Sequence, residues 1–336
     1  MSSTQPFDKV FVVGGGAWGT ALAALLAGNG IKTTLWARER EVVNAVNKEN
    51  SNTLYLPGVA LPESLQATSR LRDAKASEAI LFVVPAQFAR PVFDRLREEM
   101  SGPTPVALCS KGVEQDTAMM MNEVLQEVWP AAQAAVLSGP SFARDVVKGL
   151  PTAVTLAAAK KDQGAKWAAT LQAPHFRPYL SDDLIGAELG GAVKNVLAIA
   201  AGIVEGRGLG ESARAALIAR GFAEFQRLGM ALGAKAQTMA GLSGLGDLIL
   251  TAASPQSRNM SLGLEIGKGR TVKDILAERN TVSEGVATAS AIMALAKRAD
   301  VDMPICAAVE AIVTENAALD TVIKGLLSRP LKSETK

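Results

Sequence analysis

Lys9–Gly28 reads KVFVVGGGAWGTALAALLAG. Its first five residues are an apolar run that predicts a short buried strand. The stretch TALAALLAG is rich in helix formers and stops at Asn29-Gly30, a left-handed termination signal. Between them lies Gly14-Gly15-Gly16-Ala17-Trp18-Gly19, a G-x-G-x-x-G spacing. Alone that spacing says little; set between a strand and a helix it predicts a dinucleotide site rather than a merely tight turn. Gly14 permits the turn, Gly16 lets a pyrophosphate reach the backbone, and Gly19 lets helix and strand pack closely. The helix N-terminus then faces the phosphates.

Further along, Lys32–Trp36 predicts a second strand, ending where a ribose-reading residue stands in such folds. An acid there accepts from a ribose 2′-hydroxyl. Here Arg38 occupies the neighbourhood, with Arg40 beside it, and a guanidinium suits a 2′-phosphate. This favours NADP(H); the alternative is that both arginines are ordinary solvated charges, and Glu39 turned inward would admit NAD(H). Strands follow at Ala79–Val84, Val106–Cys109, Ala134–Leu137, Val154–Ala158 and Phe176–Leu180, with helices at Phe88–Met100 and Thr117–Val128. Such alternation predicts a doubly wound, mostly parallel α/β sheet, with ligands outside the carboxyl ends of the strands. Pro85, Lys111 and Ser141 stand at such ends. Ser181-Asp182-Asp183 caps the next helix and sets the expected division: a Rossmann-like domain over 1–181 and a mostly α-helical domain over 182–336.

The second half turns on LGGAVKNVLAIAAG, Leu189–Gly202. Leu189, Val193, Val196, Ala200 and Ile203 recur at helical spacing as a core stripe. Gly190, Gly191, Ala198 and Ala201 line the side that carries Lys194. Glycine inside a helix costs about 1 kcal/mol relative to alanine, so two together imply a close neighbour. Lys194 is the only charge between Glu188 and Glu205, and is either a snorkelling surface residue or a catalytic amine. Helices are expected at Glu211–Leu228, Val272–Glu278, Glu284–Arg298, Ile305–Ala317 and Asp320–Leu327. GLSGLGD, Gly241–Asp247, has no strand before it and reads as a tight connection placing Asp247 at a helix start, where a plain N-cap is the alternative. Ser257-Arg258-Asn259 is either an anion-binding cluster or a solvent-facing turn after Pro255.

The bulk composition sets limits. With 336 residues, 48% hydrophobic and a net charge of +2, the chain has room for two cores and shows no nucleic-acid footprint. Cys109 and Cys306 suggest neither a zinc site nor a disulfide framework, and fit a reducing cytoplasm. No metal is expected. The start, MSSTQPFDK, lacks a signal peptide's apolar core, and no uncharged apolar run reaches membrane-spanning length. His175 is the sole histidine and reads as structural or surface.

GGGAWGTALA, SKGVE, SGPSFA, LGGAVKNVLAIAAG, GLSGLGDLILT, SRN and VSEG occur in that order. Together they resemble the bacterial NAD(P)-dependent glycerol-3-phosphate dehydrogenases, over nearly the whole chain. The resemblance implies a cytoplasmic homodimer that interconverts dihydroxyacetone phosphate and sn-glycerol 3-phosphate for phospholipid synthesis. It implies that Lys194 is the catalytic acid/base, with Lys111 and Asp247 assisting. Lys111, Gly139, Ser141, Asp247, Ser257, Arg258 and Asn259 would line the substrate site, and Asn195 and Thr251 join them as expected contacts. Beyond Gly14, Gly16 and Gly19, the dinucleotide would meet Ala17, Trp18, Arg38, Lys111, Ala143, Arg258, Val282 and Glu284. Ser110 stands where the family commonly has threonine, and keeps the hydroxyl.

The chemistry is consistent with these residue types. A ketone receiving hydride needs a proton, which a lysine delivers where burial or a neighbouring cation such as Lys111 lowers its pKa. Arg258 offers a planar fork to a phosphate. The β-hydroxyacid and 6-phosphogluconate dehydrogenases carry asparagine four residues after the lysine, where this chain has Ala198. A UDP-sugar dehydrogenase would need a nucleophilic cysteine, which neither Cys109 nor Cys306 suits. A non-catalytic nucleotide-binding regulator would have no reason to keep Lys111, Lys194, Asp247 and Arg258 together.

Overall fold

The computed structural model describes residues 4–278, 284–330 and 333. The strands are β1 (Lys9–Val13), β2 (Lys32–Trp36), β3 (Gln66–Thr68), β4 (Ala79–Phe82), β5 (Thr104–Leu108), β6 (Ala132–Ser138), β7 (Thr152–Ala158) and β8 (Phe176–Ser181). They form one sheet in the order β3-β2-β1-β4-β5-β6-β7-β8, parallel throughout except where β6 meets β7. Val10 and Val12 of β1 enter one core cluster, while Phe11 and Val13 enter another. Both faces of the sheet are therefore covered, which is why β1 and β4 read as continuous apolar runs.

The expected strands are all present, with ends moved by one or two residues. β4 stops at Phe82, although Val83 N still bonds to Val13 O. The strand that the sequence hid is β3, three residues of QAT at the sheet edge with no apolar signal. The helix expected from Thr117 begins at Met121, because Ala118 is left-handed, with φ 53°, and Met120 bridges back to Val113.

Two compact units emerge. One comprises Met1–Glu114, Met119–Gly191 and Ala234–Asp247; the other comprises Gln115–Ala118, Ala192–Gly233 and Leu248–Lys336. The first therefore extends past the division drawn at 181/182. Asp183 caps the next helix through Gly186 N and accepts from Lys235 N, both at 2.8 Å. A Cβ on Gly190 would lie 2.2 Å from Ser243 O. These contacts tie 182–191 to 234–247, and Gly191, where a Cβ would lie 3.3 Å from Ser138 Oγ, packs against the end of β6.

The second unit is helical wherever it is regular. Residues 192–206 of the Leu184–Gly206 helix belong to it, and the predicted stripe Leu189, Val193, Val196, Ala200 and Ile203 along that helix is buried. That helix is long and apolar enough to cross a membrane, yet its whole most apolar window lies inside the structure, so it is a core helix. It meets the Arg258–Gly267 helix backbone to backbone. A Cβ on Gly202 would lie 2.1 Å from Met260 O, and one on Gly263 would lie 2.0 Å from Ile199 O. The helix expected to start at Asp247 runs over Asp247–Ala253, and the short Ala236–Ala240 helix is one that the sequence reading passed over.

Each unit buries one glutamate against the start of a helix. Glu188 accepts from Asn122 N at 3.1 Å, and Glu224 accepts from Ile305 N at 2.8 Å and Cys306 N at 3.2 Å. Burial pushes the Glu188 carboxyl up to about 8 and Glu224 up to about 7, against the pull of those N–H donors. Both pKa values are raised on folding, so the native state holds protons that the unfolded chain releases. Their stabilisation is complete below the ordinary carboxylate value of 4.5 and is lost as pH rises through about 7 for Glu224 and about 8 for Glu188. Denaturant titrations across that window should show wild-type stability falling relative to Glu188→Gln and Glu224→Gln as pH rises. Parallel curves for wild type and variants would contradict this assignment.

Candidate functional site

The glycine loop serves two different ends. Gly14 has φ 126°, and a Cβ there would sit 2.9 Å from Val83 O. A Cβ on Gly19 would come within 1.9 Å of Gly14 O, so this position is closed by helix–strand packing. At Gly16, with φ −69° and ψ 178°, any residue fits the backbone, and a Cβ would meet nothing within 4 Å. The Ala17–Gly28 helix that starts there has no side-chain cap and no acid in its first turn. Open space in front of uncapped N–H groups fits a pyrophosphate. Trp18 adds a buried indole N–H with no acceptor among the described residues.

The sequence reading missed the brace behind this loop. Asn52 is buried and donates to Gly15 O at 2.9 Å and to Thr20 Oγ1 at 2.7 Å. It lies in NSNTLYLPG, a segment with no periodicity, so only the fold reveals it. Arg38, at the end of β2, is 81% exposed and pairs with Glu39 at 3.0 Å.

Other first-unit residues gather at the carboxyl edge of the parallel strands. Lys111 follows β5, and its Nζ is 2.9 Å from Asp247 Oδ2. Asp247 is completely buried, so the ammonium balances a carboxylate that water does not reach. Asp247 thus orients the Lys111 ammonium. A widened turn over Leu242–Gly246, closed by Gly246 N to Gly241 O at 3.0 Å, delivers Asp247 as the first residue of its helix. Gly244 is required there, since a Cβ would lie 1.9 Å from Met239 O. Ser110 Oγ donates to Val84 O at 2.6 Å, so the serine at this position uses its hydroxyl to tie two strand ends. Gly139 (φ 151°) is pressed against Val154, Ser141 Oγ bonds to Gly139 O at 3.1 Å, and Ala143 starts the helix that follows. Cys109 is buried and burial raises its thiol, which makes it inert. His175 contributes its backbone carbonyl to Thr152 N at 2.8 Å.

In the second unit, Lys194 is only 6% exposed, which removes the snorkelling alternative. Asn195 beside it is buried too. Gly285, at the start of the Glu284–Arg298 helix, draws the neighbouring helices together. A Cβ on it would lie 2.7 Å from Asn259 Oδ1 and 3.1 Å from Asn195 O. Gly285 N donates to Asn259 Oδ1 at 3.2 Å, which turns the amide's donor end to other partners. Ser257 is the N-cap of the Arg258–Gly267 helix and accepts from Met260 N at 3.2 Å. In place of the alternative of a solvent-facing turn after Pro255 there is a capped helix start, with Arg258 exposed at its first position. Thr251 is buried in the Asp247–Ala253 helix. Val282 lies outside the described residues.

A sheet whose first turn leaves room for a pyrophosphate at an uncapped helix start, followed by a helical unit with a buried lysine, fits one class: a nicotinamide-dependent dehydrogenase. The N-terminal description of the NAD-dependent glycerol-3-phosphate dehydrogenases matches residues 9–164, and the C-terminal one matches residues 183–324. A glycerol-3-phosphate dehydrogenase (NAD(P)+) of Parvibaculum lavamentivorans is 54% identical, covering 99% of this chain and 100% of that one. Its counterpart in Maricaulis maris is 54% identical over 98% and 99%. The crystal structure of the Coxiella burnetii glycerol-3-phosphate dehydrogenase superposes with a TM-score of 0.92 at 38% identity, covering 96% of this chain and 99% of that one. The chain belongs to the NAD-dependent glycerol-3-phosphate dehydrogenase family. It is an NAD(P)-dependent oxidoreductase acting on a CH–OH group.

The loop's two kinds of glycine separate experimentally. Gly16→Val should leave the melting temperature nearly unchanged while weakening NAD(P)H binding by about 100-fold or more, roughly 2.7 kcal/mol. Gly19→Ala should instead destabilise the fold, by on the order of 1–3 kcal/mol. Equal effects of the two on melting and on titrated cofactor affinity would refute the distinction.

Proposed function

We propose that this enzyme reduces dihydroxyacetone phosphate to sn-glycerol 3-phosphate, with the proton supplied by Lys194. The nicotinamide, when bound, supplies the hydride. The observation that carries the reading is the burial of Lys194, an ammonium on an apolar helix among small residues, at 6% exposure. A desolvated cation is suited to an oxygen on which negative charge develops, and it holds the proton that this oxygen needs. Lys111, fixed by Asp247, is a second oriented cation for the substrate's oxygens. The phosphate falls to Arg258, with Asn259, Ser257 and Thr251 nearby; Gly139, Ser141 and Asn195 complete the proposed contacts. The proposed dinucleotide contacts are Gly14, Gly16, Ala17, Trp18, Gly19, Ala143, Val282 and Glu284, with Lys111 and Arg258 shared.

NADP(H) is the proposed preference. In support, Arg38 stands at the end of β2, exposed and free of packing, able to exchange Glu39 for a 2′-phosphate. We also propose a cytoplasmic homodimer serving phospholipid synthesis. Two free, buried cysteines are in keeping with a reducing compartment.

Steady-state kinetics with dihydroxyacetone phosphate test the roles. Lys194→Met keeps the stem and should lower kcat by about 100-fold or more, with little change in cofactor affinity. Arg258→Ala should act chiefly on KM, raising it by about 30-fold or more. A Lys194→Met enzyme with normal kcat and a raised KM would make Lys194 a binding residue. Arg38→Asp should shift the ratio of kcat/KM for NADPH over NADH toward NADH by about 10-fold, and an unaltered ratio would remove Arg38 from cofactor choice.

A further inference from the structure

Lys111 belongs to no helix or strand; it stands in the loop 110–114, between β5 and the bridge from Val113 to Met120. The near end of that loop is fixed to β4 and its continuation. Cys109 N donates to Phe82 O at 2.8 Å, and Ser110 Oγ donates to Val84 O at 2.6 Å. The far end is held by the segment that follows β4. Gln87 Nε2 donates to Val113 O at 2.8 Å. Arg90 closes a fork on Glu114, with Nε 2.9 Å from Oε1 and Nη2 2.8 Å from Oε2. Its remaining nitrogen, Nη1, donates to Glu127 Oε1 at 2.6 Å. Arg90 lies in the Ala89–Glu99 helix and Glu127 in the Met121–Val128 helix, so one guanidinium joins the loop to both. The Glu114 side chain is only 11% exposed, and burying a paired carboxylate yields little net stability. What the fork supplies is direction: two parallel N–H···O bonds in one plane, which a lysine cannot make.

We propose that Arg90 is a positioning residue for Lys111. The inference rests on the functional reading above, in which Lys111 is an oriented cation for the substrate's oxygens. The Lys111 ammonium lies 2.9 Å from the buried Asp247 carboxylate, and it reaches that place on a long flexible stem. Asp247 holds the tip of the side chain; the Arg90 fork, three residues along the loop at Glu114, holds its root. With the root loose, the backbone under Lys111 shifts and the ammonium points elsewhere. At a reacting centre a misplacement of about 1 Å costs on the order of 100-fold. All of these residues lie within the first unit. Arg90 acts only through Lys111, since its own donors are taken up by Glu114 and Glu127.

Arg90→Lys keeps the charge and removes the fork. Labelling with acetic anhydride, read peptide by peptide, follows the Lys111 amine without any turnover. In Arg90→Lys, and equally in Glu114→Gln, the labelling rate of Lys111 should rise by about 10-fold. That of Lys235, paired with Asp182 at 2.7 Å, should stay the same. In steady-state kinetics Arg90→Lys should lower kcat/KM for dihydroxyacetone phosphate by about 10-fold when Lys111 is present, and by less than about twofold when Lys111 is already replaced, as in Lys111→Met. An unchanged Lys111 labelling rate, a rise shared equally by Lys235, or the same kinetic loss with and without Lys111 would make Arg90 a general staple of the fold and overturn the proposal. If Lys111→Met alone left kcat/KM unchanged, the functional reading of Lys111 would fall, and Arg90's part in the reaction with it, even where the labelling shows the clamp.

Discussion

The Leu184–Gly206 helix can be approached down to its backbone, and much of the architecture hangs on that. Its closest contacts are made where a side chain is missing. At Gly190 the carbonyl of Ser243 presses in, and at Gly191 the stem of Lys111 does. At Gly202 and Gly206 the Arg258–Gly267 helix lies against it, with Leu264 O 2.2 Å from where a Gly206 Cβ would stand. Each glycine weakens the helix in isolation. The loss is offset by close packing, and close packing fixes the direction of side chains such as Asp247 and Asn259 more narrowly than leucine layers would.

Charge placement follows from the same economy. Asp247 gains nothing from burial, since desolvating a carboxylate is costly, and its pairing with Lys111 at 2.9 Å only compensates. What such a pair provides is orientation: a cation at a strand end that cannot swing away. Around it the fold keeps polar groups that serve structure. Ser110 joins strand ends, Ser257 caps a helix, and Asn259 holds Gly285. Several residues that the resemblance assigns to ligands thus also have duties in the unliganded protein. Their substitution will mix binding and folding effects, whereas Gly16, where a Cβ would meet nothing within 4 Å, is nearly free of that ambiguity.

Much of this was legible beforehand, for identifiable reasons. β1 and its loop are contiguous in sequence, and periodicity plus glycine spacing carry all the information needed. The central helix announced its close contacts through adjacent glycines, because only a missing Cβ explains their cost. What stayed hidden is nonlocal. Asn52 reaches back 37 positions to Gly15, and nothing in NSNTLYLPG signals it. β3 exists because an edge is available for three residues, not because QAT favours a strand. The Lys111–Asp247 pair spans 136 positions, so sequence supplied the two partners without the bond. The extent of the first unit was misjudged likewise: texture changes at Leu184, but packing does not respect texture until Gly191.

The missing side chains along the central helix also constrain how the gene can vary. Every single-nucleotide missense change in a glycine codon installs at least a Cβ. At Gly190, Gly202 and Gly206 that atom would land 2.1 to 2.2 Å from a carbonyl oxygen that belongs to another part of the backbone. No flexible side chain stands there to give way. Neutral drift can therefore proceed around these positions but not through them, and a change at one would have to be preceded by a shift of the facing segment.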